Sequence, residues 1–236
     1  MTAPGSSERS EEARETASGE TLDAGFVVEW LAAAAAALRE QRDYLTQLDA
    51  AIGDADHGIN MDRGFAAVLA EVGGAKDGSP GAVLELAGQV LILTVGGAAG
   101  PLYGSALRQM GVALSECPVF DAEDLLMALR AGLDEVRRLG AAIEGDKTIV
   151  DAFAPALAGF ERALRKGKDL QAATASAREA AEEGMRATVP MQARKGRASY
   201  LGARSIGHQD PGATSTALLF VTLERASRAL AAGVAS

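Results

Sequence analysis

With 236 residues, 48% of them hydrophobic and 23% charged, the chain is long enough for one globular domain of ordinary size or two small ones. Its net charge of −9 excludes nonspecific nucleic-acid binding, which draws on Lys and Arg against phosphate; residues 1–23 hold six acids and two arginines, leaving −5 for the rest. Only 4% of residues are aromatic and alanines run unbroken from Ala32 to Ala37, which points to an all-α chain because alanine favours helices and adds little to sheets.

Residues 1–21 are rich in Ser, Glu, Thr and Gly and hold almost nothing apolar, so a disordered tail is expected there. Apolar residues then recur at helical spacing: Val27, Trp30, Leu31, Ala34, Leu38, Leu45 and Leu48 mark a first helix, and Phe65, Val68, Leu69 and Val72 a second. A glycine-rich loop over 73–81 leads to a third helix striped by Val83, Leu86, Val90 and Leu93. Pro101 suits the first position of a fourth, and Asp121 with Asp124 caps a fifth. A sixth starts near Thr148, with Pro155 expected to kink it or delay its start; Asp169 caps a seventh, and the last covers about 213–231. These make eight helices without a convincing strand, and residues 22–236 read as a single helical domain.

The chain carries one cysteine, Cys117, which cannot close an intramolecular disulfide. It begins with no basic segment followed by an apolar one, and its apolar runs fall short of the ~20 residues that span a bilayer. A soluble cytoplasmic protein with neither membrane nor nucleic acid as partner is the expectation.

Three loops depart from the helical pattern. In the first, Leu48 to Asn60, the carboxylates Asp49, Asp54 and Asp56 lie at offsets of five and two around Gly53, a set that can converge on hard cations such as magnesium. An Asp/Gly/Asn turn capping the next helix fits the same spacing, and Asn60 is equally good as an N-cap. His57, just before a helix N-terminus, is placed to donate to a phosphate, or is a turn or core histidine. The second loop, Val95 to Gly104, puts three glycines ahead of a helix and lets backbone N–H groups approach an anion. The third, Met191 to Ser215, gathers four cations in an acidic chain, which suits either an anion site or a solvated basic loop, and its Asp210-Pro211-Gly212 reads as a tight turn into the last helix.

The strings GDADHGINM (Gly53 to Met61), GGAAGPLYG (Gly96 to Gly104), GDKTIVDA (Gly145 to Ala152) and ARKGRASYLGARSIGHQDPGATS (Ala193 to Ser215) together resemble the nucleotide-binding L subunits of bacterial dihydroxyacetone kinases of the phosphotransferase-system-dependent type. The resemblance covers everything after the tail. It implies an antiparallel eight-helix barrel with ADP or ATP and two Mg2+ ions held in the loops at one end, the ions by Asp49, Asp54 and Asp56. Positions matching the family's nucleotide contacts are His57, Gly58, Ile59, Asn60, Ala98, Ala99, Gly140, Ile149, Arg197, Asp210, Pro211 and Gly212, and the catalytic set it implies is Asp49, Asp54, Asp56, His57 and Arg197. Ala55 departs from the glycine usual between the two aspartates, a strain if φ is positive there, and Ile149 stands where methionine is common.

What the family does sets the expected activity. A separate K subunit binds dihydroxyacetone covalently through a histidine, the L subunit docks over it with the nucleotide, and an M subunit of the phosphotransferase system rephosphorylates ADP in place. The alternatives are an ATP-dependent kinase of dihydroxyacetone or a related hydroxyketone with exchangeable nucleotide, and an ADP-loaded partner of a transcription regulator. The absence of a K-like region favours the phosphotransferase form.

Overall fold

The computed structural model describes residues 20–76 and 78–234, so that nearly all of the expected tail lies outside the described residues. These fold into α1 (Ala24–Glu40), α2 (Arg42–Ile52), α3 (His57–Val72), α4 (Pro80–Thr94), α5 (Ala99–Ala113), α6 (Ala122–Gly140), α7 (Val150–Arg165), α8 (Leu170–Ala187), a 3-10 segment (Arg197–Ser205) and α9 (Pro211–Val234). Among the described residues there is no strand, only an isolated antiparallel bridge between Leu22 and Phe120. No described helix is long and apolar enough to cross a membrane.

Local chemistry explains most boundaries. Asp23 accepts from the Phe26 N–H at 2.9 Å to start α1, Ser79 caps α4 ahead of Pro80, and Asp121 and Asp124 form a reciprocal capping box on α6. Asp169 accepts from the Ala172 N–H at 2.8 Å to open α8. The first expected helix is two: the polar run Arg39 to Asp43 interrupts its apolar stripe, Gln41 leaves helical geometry at φ −94°, ψ 8°, and the chain turns there into α2. Pro101 also lies deeper than expected, because α5 begins at Ala99. Pro155 does not delay α7, which starts at Val150 and runs through it. Proline there cannot donate to the Asp151 carbonyl, and that oxygen instead lies so close to α8 that a Cβ on Gly184 would be 2.1 Å from it.

Eight of the helices close a ring: α1 packs on α3, each of α3 to α8 on its successor, and α9 on α1, while α2 leans outside against α3 and α9. Short connections make successive ring helices antiparallel. The interior is filled by residues such as Trp30, Phe65, Phe153, Phe160 and Phe220, with Phe153 and Phe220 edge to face at 5.4 Å and the Trp30 indole donating to the Leu219 carbonyl at 3.0 Å. The α4–α5 pair packs closely on glycine: a Cβ on Gly88 would lie 2.3 Å from the Gly104 carbonyl, and one on Gly104 would lie 2.6 Å from that of Gly88. The up-and-down path brings the N-termini of α3, α5, α7 and α9 to one end of the ring.

Candidate functional site

Those four N-termini surround a cleft of about 640 Å3, entered by Asp56 and His57 from α3, Ala98 and Ala99 from α5, Thr148 to Val150 from α7, and Asp210 to Gly212 from α9. Unpaired N–H groups and aligned helix dipoles make such a convergence attractive to anions. Negative charge is nevertheless built into one wall. One carboxylate oxygen from each of Asp49, Asp54 and Asp56 lies within 4.8 Å of the others.

The acidic loop is held from within. Asp49, buried at the end of α2, accepts from the backbone N–H groups of Asp56 at 2.9 Å and His57 at 3.1 Å, so the turn wraps around its carboxylate. Only glycine fits at 53, where a Cβ would lie 1.9 Å from Asp49 Oδ1. Ala55 takes φ 63°, the left-handed conformation that glycine favours. Three oxygens of this hardness at one point fit a divalent cation of the magnesium type, since otherwise their like charges would repel. Arg197, first residue of the 3-10 segment, pairs with Asp54 at 3.1 Å, and Arg194 and Lys195 line the cleft beside it. The basic loop thus stands over the acidic one.

His57 opens α3 and is half-buried, with Nε2 2.9 Å from Ser215 Oγ of α9; burial lowers its pKa, against the opposing pull of Asp49 and Asp56. Asn60 is not a cap, because the helix starts at His57; it is buried one turn in, accepts from Arg63 at 2.7 Å, and faces Gly96. The glycine loop turns through Gly97 at φ 66°. Gly140 and Ile149 join Leu102, Val136 and Ala142 in an apolar end of the cleft. Of the expected contact positions, Gly58 and Ile59 do not line it. Gly58 lets α3 touch α2, where a Cβ would be 2.0 Å from the Arg42 carbonyl, and the Ile59 side chain is exposed beside Arg42 and Thr46.

Beneath the α9 N-terminus, Asp210 accepts from the Ala213 N–H at 2.7 Å, and burial pushes its pKa up to about 7 against that hydrogen bond and the Lys147 charge. Lys147 was not among the expected site residues, although it lies in the GDKTIVDA string. It is buried at φ 63° and donates to the carbonyls of Thr188 at 2.8 Å, Met191 at 3.2 Å and His208, tying both ends of the basic loop to the barrel. Tyr103 and Ser215 were missed in the same way. A lysine in a loop, or a tyrosine or serine inside a helix, gives no sign of its partners until the helices are packed.

Known proteins and solved structures resemble this chain over much of its length. The DAK2 domain family matches residues 51–225. The ADP-binding subunit of the PEP-dependent dihydroxyacetone kinase of Escherichia coli (strain K12) is 40% identical over 202 residues, 86% of this chain and 96% of that protein. The L-erythrulose 1-kinase of Mycolicibacterium smegmatis is 41% identical over 183 residues, 76% of this chain, which spans only 31% of that kinase. A crystal structure of the C. freundii dihydroxyacetone kinase in complex with AMP-PNP and Mg2+ matches 95% of this chain and 37% of its own with a TM-score of 0.63 at 25% identity. With one family covering most of its length and a relative matched almost end to end, the chain belongs to the DAK2 domain family.

Proposed function

We propose that this chain is the nucleotide-carrying subunit of a dihydroxyacetone kinase, binding ADP or ATP with Mg2+ and passing a phosphoryl group to dihydroxyacetone held by a separate K subunit. The observation that carries this reading is the meeting of three carboxylate oxygens within 4.8 Å with four helix N-termini in one cleft. That is a site for an anion and its cations together. A relative of nearly equal length named as an ADP-binding subunit, and a structural neighbour bearing AMP-PNP and Mg2+, support it.

The division of labour follows from the walls. The backbone N–H groups at Ala98 to Gly100 and Gly212 receive phosphate oxygens, and the apolar end at Leu102, Val136, Gly140 and Ile149 takes the base. Asp49, Asp54 and Asp56 would hold two Mg2+ ions, which neutralise phosphate charge and so make phosphoryl transfer electrostatically accessible. Arg197 is within reach of the same region and offers a planar fork for a phosphate oxygen. The subunit's share of catalysis is positioning and charge.

The phosphoryl donor we assign is the phosphotransferase system, through an M subunit acting on ADP that stays in place, because the full-length relative is named PEP-dependent. Nucleotide analysis of the freshly purified protein tests the reading: about one ADP per chain, released by EDTA, is the expected result. Absence of nucleotide binding with Mg2+ present would overturn it. The 41% identity to an L-erythrulose 1-kinase favours a second reading on substrate alone, in which the hydroxyketone has four carbons. Turnover with purified K subunit and each ketone separates the two.

A further inference from the structure

Where the three loops of the cleft become helices, one buried hydrogen-bond chain joins them. His57 begins α3, Tyr103 lies in the first turns of α5, and Ser215 and Thr216 lie in the first turns of α9. His57 Nε2 is 2.9 Å from Ser215 Oγ, which is 2.7 Å from the Tyr103 hydroxyl. That hydroxyl is 2.8 Å from Thr216 Oγ1 and 2.9 Å from the Gly212 carbonyl. Tyr103 is only 5% exposed, Ser215 0% and Thr216 1%, so bulk solvent does not reach them.

The direction of the chain follows from counting protons. The Gly212 carbonyl can only accept, so the single Tyr103 proton goes to it. The Thr216 and Ser215 hydroxyls must then donate to the Tyr103 oxygen, since an O···O contact of 2.7 Å without a proton is repulsive. With its own proton committed, Ser215 accepts from His57 Nε2. This allocation gives each of these four short contacts a proton and leaves the longer approaches of Ser215 Oγ to the Pro211 and Gly212 carbonyls, both 3.1 Å, as secondary contacts.

On the reading that the cleft binds nucleotide with Mg2+, we propose that Tyr103 and Ser215 are positioning residues of the phosphate site. Their chain, from His57 through Ser215 and Tyr103 to Gly212, sets the acidic loop, the glycine loop and the α9 N-terminus in register. The two ends of the chain are themselves cleft residues, whereas its middle is out of reach of any ligand. Breaking the middle would let the three N-termini drift relative to one another while each helix stays formed. Phosphates that must meet all three at once would then be held less well.

The test is Tyr103→Phe, which removes one oxygen and leaves the ring, beside Ser215→Ala. ADP affinity is measured by titration calorimetry with saturating Mg2+, at a temperature where circular dichroism shows each variant fully folded, so that lowered stability alone does not alter it. Each variant should bind ADP roughly tenfold more weakly, the scale of one buried hydrogen bond. The phosphorus NMR resonances of bound ADP should move. Because either change cuts the same chain, the double variant should lose well under the product of the single losses. Should Tyr103→Phe fail to fold, Ser215→Ala carries the test with the same readouts. Wild-type affinity and resonances in a folded variant, or losses that multiply in the double variant, would overturn the inference. A wild-type protein that binds no ADP would overturn instead the reading on which it rests.

Discussion

Replacing Ala55 by glycine should make the protein more stable, although it removes a methyl group from the candidate metal loop. Ala55 sits at φ 63° between Asp54 and Asp56, and an L-residue in the left-handed region costs roughly 1–2 kcal/mol. Glycine removes that penalty but widens the unfolded ensemble, which costs about 0.4–1 kcal/mol. The Ala55 side chain is only half-buried, so little packing is lost. The balance is a gain of roughly 0.5–1 kcal/mol, or about 1–4 °C in Tm for a domain of this size. Ala141, at φ 44° and exposed at the end of α6, is the control: Ala141→Gly should give a similar gain outside the acidic loop, and the two should add. Thermal unfolding by circular dichroism without ligand reads both. If Ala55→Gly lowered Tm while Ala141→Gly raised it, the strain argument would fail at the loop, and the alanine would have to be stabilising contacts that its φ does not reveal.

Asp54→Asn keeps the shape of the acidic loop and removes one charge; it should weaken Mg2+-dependent ADP binding at least about tenfold with helix content intact, as a lost charge-assisted contact would. Normal affinity would return the loop to a helix-capping role. Arg197→Lys keeps the charge but loses the fork, so nucleotide binding should fall severalfold, while Tm stays put because the Arg197–Asp54 pair is largely exposed. Unchanged kinetics would make that loop merely solvated. Asp210 has a folded pKa raised to about 7 from 3.8, so the stability linked to its protonated form is complete below the lower value and lost as pH rises through the upper one. Asp210→Asn should therefore gain Tm relative to wild type between pH 5 and pH 8, and a pH-independent difference would refute the raised value.

The sequence by itself determined the helices and the residue types of the site. Alanine content and apolar spacing suffice for an all-α chain, because helical periodicity and capping are local properties of ten to twenty residues. Asp121 and Asp169 are legible for that reason. Asp49, Asp54 and Asp56 were legible as a set because one short loop confines them. What the sequence did not decide was anything that depends on two helices touching. The break at Gln41, the passage of α7 through Pro155 against Gly184, and the exclusion of Gly58 and the Ile59 side chain from the cleft all follow from packing. So does the burial of Lys147, Tyr103 and Ser215, whose partners on other helices and loops lie 41 to 158 residues away in the chain. Nothing in a single segment records such separations. Only the closed ring brings the N-termini of α3, α5, α7 and α9 to one end, and it is that convergence which turns three suggestive loops into one site.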